Sequence, residues 1–205
     1  MSVEAALLAF TAAAALLTIT PGLDTAMVLR TAAVEGPRRA GLAALGVVCG
    51  CLAWGAVAAL GIGALLAASH AAYVALKWAG AAYLAWLGLR LLLRPRETFE
   101  LARTAAPRGN WWLRGFLTNL LNPKVGVFYV SFLPQFVPPH VPPAPFIFAL
   151  AAIHAVLGLA WFAALIGATA PLKRWLQRRA VVRWLDRATG AVFLGFSARL
   201  ALDRG

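Results

Sequence analysis

The stretch NLLNPKVGVFYVSFLPQF, residues 119–136, has the apolar character of a membrane helix but is interrupted by Asn122-Pro123-Lys124. Proline removes a backbone donor and lysine carries a charge, and both are costly in hydrocarbon. Such an interruption has two readings. Either the stretch is not a span, or the helix breaks there on purpose and exposes backbone groups to something polar.

The rest of the chain favours the second reading. It has 205 residues, 62% hydrophobic and 13% charged, with a mean hydropathy of +0.78. Soluble globules carry about 25% charged residues, so this is the composition of a membrane protein. Apolar segments recur near 5–20, 41–68, 71–93, 115–137, 146–172 and 188–202. A spanning helix needs about 20 such residues, so six transmembrane helices are expected, the last one short. The first segment carries Glu4 and has no Lys or Arg before it, unlike the basic start of a cleaved signal peptide.

A net charge of +12 would suggest a nucleic-acid partner in a soluble chain. Here the cations sit in short gaps between apolar runs. The connection 30–40 has three Lys/Arg, 90–114 has six and 173–187 has six, whereas those near 69–72 and 133–146 have none and the C-terminal end has only Arg199 and Arg204. Basic connections stay cytoplasmic. The expectation is therefore a multi-pass membrane protein with both termini outside, and no nucleic-acid partner. PQFVPPHVPPAPF, residues 134–146, would be a proline-stiffened outer loop.

The two halves resemble each other. TITPGLDTAMVL (18–29) can be laid on LLNPKVGVFYVS (120–131) with Pro21 over Pro123, and GAAYLAWLG (80–88) on GAVFLGFSA (190–198). Three spans per half is an odd number, so the second half must sit inverted relative to the first. This predicts an all-α membrane protein of one domain over 1–205, with repeats of about 1–94 and 112–205 and helix breaks near Pro21-Gly22 and Asn122-Pro123. Corresponding interruptions in two inverted halves are a pointer to a transporter site.

Asp24 is the one acid that falls beside a break inside an apolar region. An ionisable residue at that depth suggests function, though aspartate also caps helices well. Lys124 is its cationic counterpart in the second half; the alternative is a lysine that snorkels to the interface. In the functional reading Asp24 takes an ammonium or a proton, and Lys124 with the exposed helix N-termini attracts a carboxylate. Thr18, Thr20, Thr118, Asn119 and Asn122 flank the breaks and either satisfy freed backbone groups or bind a polar substrate. Pro21, Gly22, Pro123 and Gly126 would turn backbone polar groups toward it.

Other features read more simply. Lys77 snorkels outward, and His154 is a packed, hydrogen-bonded residue rather than a proton relay. Gly46 and Gly50 form a close-packing face. Cys49 and Cys51 are two residues apart on a helix and so do not face each other, which argues against a disulfide or metal pair. The chain has no nucleotide-binding loop, no metal-ligand spacing and no nucleophile elbow. Neither cofactor nor metal is expected, and active transport would draw on an ion gradient.

At this point a family is recognisable. TPGLDTAMVLRTAAVEGPRRAGLAALGVVCG (20–50) and GFLTNLLNPKVGVFYVSFLPQFV (115–137) resemble the LysE/RhtB family of bacterial amino-acid exporters. The family's second proline in the first segment is Leu23 here, and Pro37 interrupts its glycine-arginine element. The resemblance implies export of amino acids or close derivatives across the bacterial inner membrane, driven by the proton motive force, and small relatives suggest a homodimer. The mechanism expected is alternating access, by rocking of the two repeats around 20–25 and 118–126. Two other classes remain. A channel would tolerate loss of Asp24 protonation, a scaffold subunit would not need paired breaks with charges of opposite sign, and a membrane enzyme would use Asp24 and His154 together.

Overall fold

The computed structural model describes residues 2–68, 70–95, 109–168, 174 and 178–202, and every regular element among them is helical. In chain order these are α1 (Val3–Ile19), α2 (Leu23–Val34), α3 (Pro37–Ala68), α4 (His70–Leu93), α5 (Trp111–Leu120), α6 (Pro123–Val127), α7 (Pro143–Gly167) and α8 (Arg179–Leu202). A π-helical turn (Phe128–Phe132) and a 3₁₀ turn (Leu133–Phe136) extend α6. The side chain of Lys77, and parts of the basic connections 90–114 and 173–187, lie outside the described residues.

Both expected breaks are present. The first lies between Ile19 and Leu23, where α1 and α2 meet at a bend of 50°. Pro21 cannot donate the hydrogen bond that would continue α1, and the Thr20 N–H bonds the Leu16 carbonyl as the last helical turn closes. Gly22 caps α2 in extended conformation without a side-chain bond. Asp24 is therefore in the first turn of α2 and is not its cap. The second break falls at Leu121-Asn122. Asn122 caps α6, its side-chain oxygen accepting from the Lys124 N–H at 3.1 Å, and Pro123 opens the helix where its missing N–H costs nothing.

Six spans were expected, but two helices among the described residues, Pro37–Gly61 and Pro143–Gly167, are long and apolar enough to cross a bilayer by themselves. The bent pair α1–α2 makes a third if it is counted as one span. The other segments fail the criterion for different reasons. The helix after residue 110 is broken at Asn122, and α4 has a shorter apolar part, Trp78–Leu93. Helix α8 begins at Arg179 rather than near 188 because it is amphipathic. Val182, Leu185 and Asp186 are buried while Arg183, Trp184 and Arg187 are exposed, a pattern that an apolar-run reading misses.

Packing depends on small residues. Helices α3 and α5 run parallel, and a Cβ added to Gly46 would lie 1.9 Å from the Trp112 carbonyl oxygen. One added to Gly115 would lie 1.9 Å from the Ala43 carbonyl oxygen. Helices α4 and α8 run antiparallel, and an added Cβ on Gly88 would meet the Gly190 carbonyl oxygen at 2.8 Å. Ser197 Oγ donates to the Ala81 carbonyl along the same seam, at 2.9 Å. At such approaches the backbones themselves are in contact, as expected where association relies on packing rather than on escape from water.

The core beside the breaks is aromatic. Phe128, Phe132 and Phe136 are fully buried on successive turns. Phe132 stacks on Phe128 at 4.6 Å and meets Phe196 of α8 at 4.2 Å, while Phe136 meets Phe10 of α1 at 5.4 Å. By contrast Leu8, Val57, Leu60, Leu89, Leu93, Val156 and Leu159 all point outward. Apolar exposure on four different helices fits a chain surrounded by lipid better than one surrounded by water.

Candidate functional site

The two breaks meet. Asp24, in the first turn of α2, accepts a hydrogen bond from Asn119 Nδ2 of α5 at 2.9 Å and a longer one from Asn122 Nδ2 at 3.4 Å, both on Oδ2. Its other oxygen, Oδ1, is buried and has no hydrogen-bond partner among the described residues. Orphaned carboxylate oxygens are uncommon in protein interiors. Lys124 lies close enough for its charge to act on Asp24. Its Nζ is 3.8 Å from where a Cβ on Gly22 would sit, so the glycine leaves room for the ammonium beside the first break.

Each amide is held in one orientation. Asn122 accepts from the Lys124 N–H through Oδ1, so its NH₂ is left for Asp24. Asn119 must likewise present its NH₂ to a carboxylate, which only accepts. Its NH₂ also lies 3.5 Å from Cys51 Sγ. The Asn119 oxygen is pressed against Gly50, where an added Cβ would come within 2.6 Å of it. The Gly46/Gly50 pair therefore has two jobs: Gly46 lets α5 approach, and Gly50 seats the asparagine that holds Asp24.

Thr20 lines the cavity, and its hydroxyl is engaged within the fold. Its hydroxyl donates to the Leu16 carbonyl at 2.7 Å and meets Thr189 Oγ1 of α8 at 2.6 Å. Since Thr20 has one proton and gives it to Leu16, Thr189 is the donor of that pair. The bond ties the first break to the last helix. Thr189→Val should lower the apparent unfolding midpoint in detergent by the equivalent of about 1 kcal/mol, with folded yield retained; an unchanged midpoint would show that the pair holds nothing. Thr18 is occupied similarly, donating to the Ala14 carbonyl at 2.7 Å.

Asp24, Gly22, Thr18, Thr20, Asn119, Asn122 and Lys124 surround a cavity of about 60 Å³ between α2, α3, the second break and α7. Pro21 is buried behind it and lines a neighbouring space. Pro123 contributes as the first residue of α6. Cys51, Thr25 and His154 also line it; sequence reading gave Cys51 and Thr25 no part in the site and set His154 beside Asp24 only in the enzyme alternative. His154 Nδ1 is 2.9 Å from the Tyr129 hydroxyl, and its ring packs 5.4 Å from that of Phe128. It is a packed, hydrogen-bonded histidine, as expected, but it also faces the site. Cys49 and Cys51 are both free thiols.

The site is small beside ordinary ligand cavities of about 300–1,000 Å³. A second space of about 470 Å³ adjoins it, sharing Gly22, Asn122 and Lys124, and is bounded on the far side by α4. What the arrangement offers is a negative group and a positive group across one confined space, each beside a helix interruption.

Comparison with known proteins places the chain in a family. The model of the LysE type translocator family matches residues 15–204. A threonine efflux protein of Salmonella typhi is 32% identical over 91% of this chain and 92% of its own length. A leucine efflux protein of Klebsiella pneumoniae is 30% identical over 95% of this chain and 93% of its own length. An uncharacterized membrane protein of Bacillus subtilis is 28% identical over 96% of this chain and 99% of its own length. No solved structure matches significantly. With nearly the whole chain covered by the family model, and with full-length relatives above 30% identity, this protein belongs to the LysE type translocator family.

Proposed function

We propose that this protein is a secondary transporter that exports an amino acid or a close derivative from the cytoplasm, coupled to protons. One observation carries the reading: at paired helix breaks, a buried carboxylate with an unpartnered oxygen shares a cavity with a lysine. A zwitterion presents an ammonium and a carboxylate a few ångströms apart, which is the complement of that pair. Asp24 takes the ammonium, or a proton in its place, and Lys124 takes the carboxylate. The names of the threonine and leucine efflux relatives point to the same substrate class.

Depth supports the assignment. Helix α2 has 12 residues and α5 has 10, so at 1.5 Å per residue the breaks lie about 15–18 Å from the basic ends of these helices. That is half of a hydrocarbon core of about 30 Å. Six spans in two inverted repeats account for the packing: α3 lies against α7 and α4 against α8. These are the second and third helices of each half, paired with their counterparts. The basic end then faces the cytoplasm and both termini face out. Substrate, protons and the surrounding bilayer are the partners in this reading.

Alternating access also has physical support. Phe128, Phe132 and Phe136 form a buried, ring-packed column after the second break; in this reading it is the closed gate on the side opposite the basic connections, and the larger adjoining space is the open side. The column includes a π-helical turn, a local weakness in the helix ladder often found at functional sites. Rocking of the two repeats about the breaks would open the aromatic layer and close the basic side.

The test is efflux from proteoliposomes loaded with a labelled amino-acid mixture, with and without an imposed pH gradient. Saturable loss of one or a few amino acids that rises with the gradient is the expected result. Loss of none under either condition would overturn the exporter reading, and non-saturable loss would point to a channel.

A further inference from the structure

We propose that one face of α4 forms a cationic antechamber that captures the carboxylate of the transported amino acid and hands it to Lys124. The inference rests on the transport reading and adds a second substrate-binding place to it. The space of about 470 Å³ beside the site is bounded by Tyr83 and Arg90 of α4 and Arg94 just past its end on one side, and by Gly22, Asn122 and Lys124 of the two breaks on the other. No acidic side chain is among its described walls.

The spacing gives the antechamber a direction. Residues 83, 87, 90 and 94 are separated by three or four, so they stack on one face of the helix. At 1.5 Å per residue they rise about 16 Å from the basic end of α4 to the level of the breaks. Arg94 stands at the mouth, Arg90 one turn further in, and Lys124 at the inner wall shared with the central cavity. Asp24 lines the central cavity and not the antechamber. An anionic group therefore meets three cations in succession before the ammonium end of the same molecule reaches the carboxylate.

The side chains suit the task. A guanidinium offers paired donors that match a carboxylate, where an ammonium offers a point charge. Arg90 lies over the Trp86 ring at 5.5 Å, which limits where its head can go. Arginines serving only as interfacial anchors would extend along the lipid face. Arg90 and Arg94 also border an outward space with Trp86, Leu89 and Leu93, but they share the inner one with Lys124.

Modification of Leu87→Cys, which borders the same space, tests this without measuring transport. Labelling at residue 87 would be read by peptide mass spectrometry, comparing an anionic (sulfonatoethyl) with a cationic (trimethylammonioethyl) methanethiosulfonate. Each rate is normalised to that of a small free thiol. In phosphatidylcholine vesicles the anionic reagent should react about tenfold faster, an effect of the size that neighbouring cations give at intermediate dielectric. Adding Arg90→Gln and Arg94→Gln should remove the preference. An amino-acid mixture should slow labelling, while the matching methyl esters should not.

Equal rates for the two reagents would overturn the antechamber. So would a preference that phosphatidylglycerol abolishes and amino acids leave unchanged, since the arginines would then hold lipid headgroups. Charge-selective, amino-acid-protected labelling in a protein that moves no amino acid would keep the antechamber and sink the transport reading. The two failures are thus distinguishable.

Discussion

Asp24→Asn should reduce gradient-driven efflux by about 10- to 100-fold while leaving the folded yield unchanged. The magnitude follows from a charged hydrogen bond, about 1.5–3 kcal/mol, with each 1.4 kcal/mol equal to a factor of ten. The fold should survive because the asparagine oxygen can still accept from Asn119, which now meets Asp24 Oδ2 at 2.9 Å. What disappears is the charge beside Lys124 and the unpartnered oxygen Oδ1. A second measurement separates the two roles given to this carboxylate. If Asp24 carries only the proton, the variant should still exchange labelled for unlabelled amino acid across the membrane without a gradient. If it also holds the substrate ammonium, exchange should fall together with net efflux. Full retention of both activities would remove Asp24 from the mechanism.

Why Asp24 was legible in the sequence, and its neighbours were not, is a matter of contrast. An acid in an apolar run beside Pro-Gly stands out because burial of a charge is costly. Asn122-Pro123-Lys124 stands out for the same reason, and both breaks lie where the prolines put them. Cys51 and Tyr129 give no such signal, because each also fits an ordinary apolar helix, and only the fold brings them to Asn119 and His154. Thr20 was visible as a polar residue at the break, yet its anchoring role depends on Thr189, 169 positions away. Asp186 is the opposite case. It falls within 173–187, which the charge pattern marks as a connection, yet it is fully buried in α8, which begins at Arg179. The π-helical turn at Phe128–Phe132 left no mark either. Its residues suit an α-helix equally well, and the ring packing around Phe128 and Phe132 exists only once α1 and α8 are in place.

Gly46→Val or Gly115→Val should leave little folded protein, and even alanine should destabilise at these positions. In most helices Gly→Ala is favourable by about 1 kcal/mol, because alanine loses less backbone entropy. Here the sign reverses. The added Cβ would sit 1.9 Å from the Trp112 oxygen in one case and 1.9 Å from the Ala43 oxygen in the other, and both obstacles are backbone that cannot rotate away. Relief requires α3 and α5 to separate. Overpacking of this kind costs about 1–3 kcal/mol, and more where nothing can yield. Separation would also lift Asn119 off Gly50, so any residual folded protein should transport poorly. Gly61→Ala and Gly195→Ala are the controls, since nothing among the described residues lies within 4 Å of an added Cβ at either. They should be neutral or raise the unfolding midpoint in detergent. The same response at all four positions would mean that the α3–α5 contact does not hold the two halves together, and that Asn119 is positioned by something else.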